Sequence, residues 1–434
     1  MITQVKRQDH YAELFLRSLD NNDQPEWLKA LRSNAFDYFL INGFPSVEDE
    51  EWKYTSTAPI AREKFELAEN AAEIPSIENF LISESKESRI VFFNGQFVKE
   101  ASNLSALKGI KVLSFSEALN DSVSEKFIRE NLANHVSYNK NGFTALNTAF
   151  IDEGLFLLIP ANYRLEVPIQ LLFLATQEKM AFPRVLIVAE KQSCLTLIES
   201  YSGFESEKYF INSVIEVTLS EGAELKHYRI QRESSEAFHI TNTSIQISKN
   251  ATYDSTNITF GAKWSRHDIV TNFHGEGGQA FVDGLYMVSG EQHTDTHSVI
   301  DHRFAYCTSR QNYKGIIDGK SRAVFNGKVF VRENARGTDA HQSNKNLLLS
   351  NEARVDTKPQ LEIFNDDVRC SHGATVGQLE DEEIFYLLSR GINPMLARNL
   401  LTYGFAEEII NKITVDSVKQ MLDETLLNRL SAKL

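Results

Sequence analysis

The chain has 434 residues, 42% of them hydrophobic, and a formal net charge of −14. That length and apolar content support a large core spread over two or three domains, which excludes a disordered chain. The acidic balance excludes a nucleic-acid partner and an anionic membrane surface, both of which require clustered cations; and because Cys194, Cys307 and Cys370 form no CxxC pair, neither a disulfide framework nor a self-contained zinc or cluster site is expected.

The opening stretch, MITQVKRQDHYAELFLRSLDNNDQPEW, holds no apolar run long enough for a signal-peptide core or a membrane span. The protein is therefore expected to stay in the reducing cytoplasm. Tyr11, Leu14, Phe15 and Leu19 recur at helical spacing, and a second apolar-periodic run begins at Pro25-Glu26-Trp27 and stops at Asn42 or Gly43. An acidic turn, PSVEDEEWKYT, leads to a strand pair with a two-residue turn in RIVFFNGQF, and another helical stretch covers residues 114–133. Residues 1–135 are read as a helix-rich domain.

Over residues 136–378 Val, Ile, Thr, Phe and Tyr dominate and alternation replaces the helical stripe, so this is read as a β-domain. Aligning the turns EKQSCL, SEGAEL, SKNATY and GEGGQAF places apolar residues at Leu195, Leu225, Tyr253 and Phe281, separated by 30, 28 and 28 positions. Such a period without intervening helices fits a β-solenoid, in which each coil buries its inner face against its neighbours; a sandwich or barrel stays open on spacing alone. Residues 379–434 return to helix. Ile384, Leu387 and Leu388 form a stripe ending at Gly391; Asn393-Pro394 starts a helix carrying Leu396, Leu400, Leu401, Phe405, Ile409 and Ile410; and a last helix carries Val418, Met421, Leu422, Leu426 and Leu430. Spacing does not separate packing on the β-domain from contact with a partner.

Several motifs fail on their surroundings. Lys314 to Ser321 resembles a phosphate loop, but only three residues separate Gly315 from Gly319 and strand patterns follow, so a turn is expected and ATP must be hydrolysed elsewhere. Gly275-Glu276-Gly277-Gly278-Gln279-Ala280 matches a dinucleotide fingerprint in letters, yet FVDGLYM after it is β-rich. His293, Asp295, His297, Asp301 and His302 look metal-like. On a strand, however, His293 and His297 stand roughly 13 Å apart at about 3.3 Å per residue, so these are read as polar positions on separate turns of the β-domain.

The densest chemistry is QLEIFNDDVRCSHGATVG, where Glu362, Asp366, Asp367, Cys370 and His372 fall close together. Cys370 and His372 are two apart and in a strand point the same way, with backbones roughly 7 Å apart. A thiol and an imidazole near carboxylates suit iron or a cluster, although two ligands alone would hold it weakly. The plain alternative is a buried Cys beside a hydrogen-bonded His at the end of the sheet.

These segments resemble the SufB/SufD family, and within it the SufD branch. The motifs Ala340-His341-Gln342, Asn346 to Ser350 (NLLLS), Lys358 to Ile363 (KPQLEI), Asp366 to Thr375 (DDVRCSHGAT) and Phe385 to Gly391 (FYLLSRG) carry the resemblance, with EWKYT at Glu51 to Thr55 and the His293 to His302 segment upstream. The resemblance implies a right-handed parallel β-helix between N- and C-terminal helical regions, and a scaffold for iron-sulfur cluster assembly rather than an enzyme. It implies a SufB-type partner through the β-helix core, a SufC-type ABC ATPase on the C-terminal helices, and a homodimer when the subunit is isolated. A nascent cluster would form between SufB and SufD, with His372 as a ligand and Cys370 as a second candidate. A reduced flavin is associated with the family's whole complex, and no segment of this chain reads as a flavin site. The SufD branch is indicated by the absence of a cysteine-rich N-terminal segment and by the CSHGAT context of His372.

Two rivals remain. A β-helix polysaccharide hydrolase would use Asp366 and Asp367 as acid and base, but adjacent strand residues face opposite sides and the chain has no export signal. A purely structural adaptor for the ATPase would contribute no ligand at all.

Overall fold

The computed structural model describes residues 2–19, 24–67, 74–152, 154–176, 178–204 and 206–431, with side chains from His10 onward. Helices form at the N-terminal end where apolar side chains recur. α1 (Ile2–Leu19) and α2 (Glu26–Asn42) bury Tyr11, Leu14, Phe15, Phe36 and Phe39 in one cluster, in which Phe15 stacks on Phe36 with ring centroids 4.2 Å apart. α2 ends at Gly43, whose φ of +66° disfavours any side chain. After α3 (Ala58–Arg62) and β1 (Glu66–Leu67), the hairpin of β2 (Arg89–Phe93) and β3 (Gln96–Asn103) turns on Asn94-Gly95, both at positive φ. The helical stretch expected beyond β4 (Lys111–Ser114) is two helices, α4 (Phe115–Asn120) and α5 (Ser122–Asn131). Ser114 and Asp121 each cap a helix start, which breaks the run in two. α6 (Gly142–Ala149) is buried along its whole length.

From Leu155 the chain winds into eight coils. Each coil gives one strand to a first sheet: β5 (Leu155–Ile159), β8 (Arg184–Ala189), β10 (Phe210–Leu219), β12 (Phe238–Ile247), β14 (Trp264–Phe273), β16 (His293–His302), β18 (Arg322–Val331) and β20 (Arg354–Ile363). The other strand joins a second sheet: β6 (Ile169–Ala175), β9 (Cys194–Gly203), β11 (Glu224–Arg232), β13 (Thr252–Thr259), β15 (Gln279–Val288), β17 (Thr308–Ile317), β19 (Thr338–Leu348) and β21 (Val368–Gly377). The short β7 (Lys179–Ala181) pairs with β1 and β10. Pairing from coil to coil is parallel throughout, so the solenoid is the expected parallel β-helix, with helices before and after it.

The corners explain why the turn alignment worked. Asn162, Gln192, Gly222, Asn250, Gly277, Tyr306 and Gly337 stand in one column with φ between +53° and +69°. Each donates its N–H to a carbonyl of the next coil, from Asn162 to Lys191 through to Gly337 to Asp367. Gly and Asn adopt this left-handed geometry at least cost, and so they punctuate the repeat. Leu195, Leu225 and Tyr253 do share a register, but the fourth member is Ala280, and Phe281 pairs with Asp254. A slip of one residue moves a side chain from the interior to the outer face, and Phe281 lies half-buried outside.

The interior is apolar over one row, with Leu195, Leu225, Tyr253 and Ala280, yet charged farther along the strands. Buried Glu199 Oε2 lies 2.7 Å from His227 Nε2, and Arg229 Nη2 donates to His239 Nε2 at 2.7 Å. His239 Nδ1 sits 2.8 Å from Glu233 Oε2, and burial holds the pKa of this imidazole below its usual value.

At the other end α7 (Asp381–Ser389) stops before Gly391 at φ +82°, and α8 (Pro394–Ile410) is capped by Asn393, whose side chain accepts from Leu396 N–H. α8 and α9 (Asp416–Ser431) lay Ile409, Ile410, Val418, Leu422 and Leu426 on Tyr228, Ile230, Ile258, Leu285 and Ile316 of the second sheet's outer face. Each such fully buried side chain contributes about 1.5–3 kcal/mol. Buried Lys314 Nζ reaches Glu408 Oε2 at 2.5 Å and the Phe405 carbonyl at 3.0 Å. The phosphate-loop look-alike thus divides into a strand, β17, and a turn at Gly319 with φ +62°. The glycines Gly275 to Gly278 likewise form a turn between β14 and β15.

Candidate functional site

β20 and β21 are the outermost strands of their sheets, each paired on one side only, with β18 and β19. The last seven residues of β21, Ser371 to Gly377, are exposed, whereas Ala340, Gln342, Asn344 and Asn346 of β19 are buried. The solenoid therefore ends in an open coil whose backbone donors and acceptors face outward on both sheets. Pro359, on β20, withholds one donor from that edge, a placement proline tolerates only at a sheet margin.

Cys370 and His372 both lie on β21. Cys370 pairs in register with Ala340, and His372 with Gln342, which itself pairs with Gln311. Parallel partners in register share a face, and Ala340, Gln311 and Gln342 are all buried. Both predicted residues therefore belong to the interior-facing row of the last coil, pointing the same way as expected. Cys370 is half-buried against the core, and burial raises its thiol pKa, with Asp339 adding to the shift. His372 is exposed and makes no hydrogen bond or ion pair with the described residues. The alternative of a hydrogen-bonded histidine is thus not what is found.

The acidic residues do not join them. Asp366 and Asp367 lie in the corner before β21, not on a strand, and Glu362 is exposed near the end of β20. The face-alternation argument against a hydrolase therefore did not apply to these two aspartates. Among the described residues no three His, Cys, Asp or Glu side chains come together in a metal-holding arrangement. On the outer face beside Cys370, His341 Nδ1 meets Ser371 Oγ at 2.5 Å, and its Nε2 lies 2.9 Å from Asp339 Oδ1.

The histidine-rich segment requires a larger correction. His293 to His302 lie on one strand, β16, and not on separate turns. Asp295 gathers the group: Thr55 Oγ1 donates to its Oδ2 at 2.6 Å, Arg266 at 2.8 Å, and His297 Nε2 lies 3.1 Å from Oδ1. His297 Nδ1 is 3.3 Å from Glu51, Thr55 also meets His293 Nε2 at 3.1 Å, and Arg266 stacks over Trp52 at 3.8 Å. Burial opposes the charge on Asp295, but His297 and Arg266 outweigh it and hold this carboxyl at about 2. The hydrogen bond from His297 brings Glu51 to about 2 as well. Burial works against the His297 cation, yet Asp295 lifts its pKa above the usual value. This is an ionic anchor that ties EWKYT to the first sheet. Sequence reasoning noted both segments without joining them, and no local spacing connects residues so distant in the chain.

Gln342 was also missed as a neighbour of His372. The repeat could have found it, because one coil back from His372 is residue 342.

Residues 172–405 match the family model described as SUF system FeS cluster assembly, SufBD core domain, and residues 5–171 match the SufBD protein N-terminal region. The chain belongs to the SufBD family. It is 37% identical over 406 residues to an iron-sulfur cluster assembly SufBD family protein of Synechocystis, covering 90% of this chain and 88% of that one. It is 30% identical to the iron-sulfur cluster assembly protein SufD of Escherichia coli, covering 88% of each chain. It is 26% identical to SufB of Bacillus subtilis, over 97% of this chain and 90% of that one. As a SufBD-family member of the SufD type, the chain is a scaffold subunit of SUF iron-sulfur cluster assembly. Among the described residues no helix is long and apolar enough to cross a membrane.

Proposed function

We propose that this chain is a non-catalytic cytoplasmic scaffold that pairs through its open coil with a SufB-type subunit and holds a SufC-type ABC ATPase on its C-terminal helices. The cluster under construction is cargo, formed in the seam between the two scaffold subunits, with His372 as this chain's ligand and Cys370 as a weaker second. ATP hydrolysis belongs to the partner ATPase.

The observation that carries this reading is a free, exposed imidazole on the terminal strand of an unclosed β-helix. An imidazole without an internal partner keeps its lone pair for a metal, and one histidine needs ligands from elsewhere to complete a tetrahedral set. The similarity to SufB over nearly the whole chain supports pairing between two solenoids of the same kind, edge to edge. The ATPase assignment is supported by what α7 and α8 leave uncovered. Phe385, Tyr386, Leu396 and Leu400 are exposed by 45% or more, while Ile409 and Ile410 on the same helix pair are buried on the solenoid. One amphipathic face thus anchors the helices, and a second apolar face remains for a partner.

The test is anaerobic cluster assembly on the complex reconstituted with SufB-type and SufC-type subunits. His372→Ala is expected to leave the complex intact on gel filtration and to lower cluster formation, with Cys370→Ala doing less. Full assembly in the His372 variant would favour the structural adaptor.

A further inference from the structure

Gln342 is 4% exposed, and its amide is oriented from within. Its Nε2 donates to Gln311 Oε1 at 2.6 Å, and Gln311 Nε2 in turn donates to Ser298 Oγ at 2.5 Å. The glycine at 327 permits this pose, since a Cβ there would stand 2.2 Å from Gln342 Nε2. With both amides turned this way, Gln342 Oε1 is a buried acceptor with no hydrogen-bond partner among the described residues. Such an atom is costly to leave unpaired, and a polar group in the next coil is the natural donor.

The next residue in that row is His372. Adjacent strands lie about 4.8 Å apart, a separation that an amide and an imidazole in register span with a single hydrogen bond after rotation of the exposed ring. We propose that Gln342 Oε1 accepts the N–H of His372, making Gln342 a positioning residue that fixes one neutral tautomer and turns the other ring nitrogen toward the seam. The proposal rests on His372 facing the cluster, and it gives the buried polar member of the Ala340-His341-Gln342 motif a task. Partners that fix a ligating histidine in this way raise its basicity and set its orientation, and their loss typically costs about 10- to 100-fold in metal affinity or activity.

The experiment is 15N NMR of histidine-labelled full-length chain above the imidazole pKa, with His372 assigned by its loss in His372→Ala. A single tautomer is expected in the unaltered protein. Gln342→Leu and Gln342→Met should release the ring to the tautomer mixture of a free imidazole, while Gln342→Glu, which keeps the acceptor, should keep one tautomer. In the reconstituted complex Gln342→Leu should slow cluster formation by about 10-fold or more. Unchanged His372 signals in both the Leu and Met variants overturn the hydrogen bond, and normal assembly despite a mixed tautomer overturns the positioning role. If His372→Ala assembles clusters normally although Gln342→Leu mixes the tautomers, the ligand reading fails and the hydrogen bond stands. If His372→Ala is impaired but Gln342→Leu alters neither tautomer nor rate, the ligand reading stands and this inference fails.

Discussion

The outer face of β14 and β16 is sealed by the Glu51 to Thr55 segment through Arg266, Asp295, His297 and Trp52, whereas β20 and β21, two coils farther along the same solenoid, have no buried residue. Both regions carry histidine and aspartate, yet the side chains of the first pair with one another, whereas the His372 ring of the second has no hydrogen-bond or ion-pair partner among the described residues. A charged cluster that is buried and mutually paired serves to fix one segment on another. The same residue types on an open edge are available for chemistry.

That contrast breaks most visibly at Asp295. Asp295→Ala removes the acceptor shared by Arg266, Thr55 and His297, while Arg266 keeps its two bonds to Asp268, so it should cost about 1–3 kcal/mol in urea unfolding. A loss no larger than that of a surface substitution would mean that the anchor is dispensable.

The pH dependence should be the next largest effect. Burial lowers His293 and His302 to about 4 from 6.5, so their stabilising contribution is present above the unfolded value and lost as pH falls from 6.5 toward 4. Glu51 and Asp295, both held at about 2, contribute above their unfolded values and lose that contribution as pH falls through about 2. His297 runs the other way, since its raised pKa favours the fold below its unfolded value and ceases to do so as pH rises through the folded one. Melting temperature should therefore decline below about pH 6.5 and fall more steeply once the carboxylates begin to titrate; a flat profile between pH 7 and 4 would contradict the burial of these groups.

Smaller stability changes are expected on the open surfaces. Leu396→Asp with Leu400→Asp should change stability by no more than about 0.5 kcal/mol per site while abolishing ATPase capture in a pull-down. His372→Ala should have only a small effect on melting, because the ring is exposed and the one hydrogen bond proposed for it, to Gln342, contributes only about 0.5–1.5 kcal/mol. A clear drop in its melting temperature would show that the imidazole packs within the fold.

The fold was legible wherever a physical period left a mark. Gln192, Gly222, Asn250 and Gly277 are the left-handed corners of successive coils, which is why the turns EKQS, SEGA, SKNA and GEGG aligned before any strand was seen. The inward position lies three residues after each corner, Leu195 after Gln192, Leu225 after Gly222 and Tyr253 after Asn250, and three after Gly277 is the small Ala280 rather than the bulkier Phe281 beside it. At the candidate site the shared direction of Cys370 and His372 followed from strand alternation. The exclusion of Asp366 and Asp367 did not, because both fall in a corner where alternation stops.

Composition, periodicity and turn residues by themselves determined that this is an acidic chain with a β-rich centre between helical ends, because those properties act through near neighbours along the chain. Only the tertiary structure decided that Thr55 meets Asp295, that Gln342 lies beneath His372, and that the last coil is left open. Those outcomes depend on how coils stack, and contacts between coils bring together residues whose separation in sequence carries no local signal.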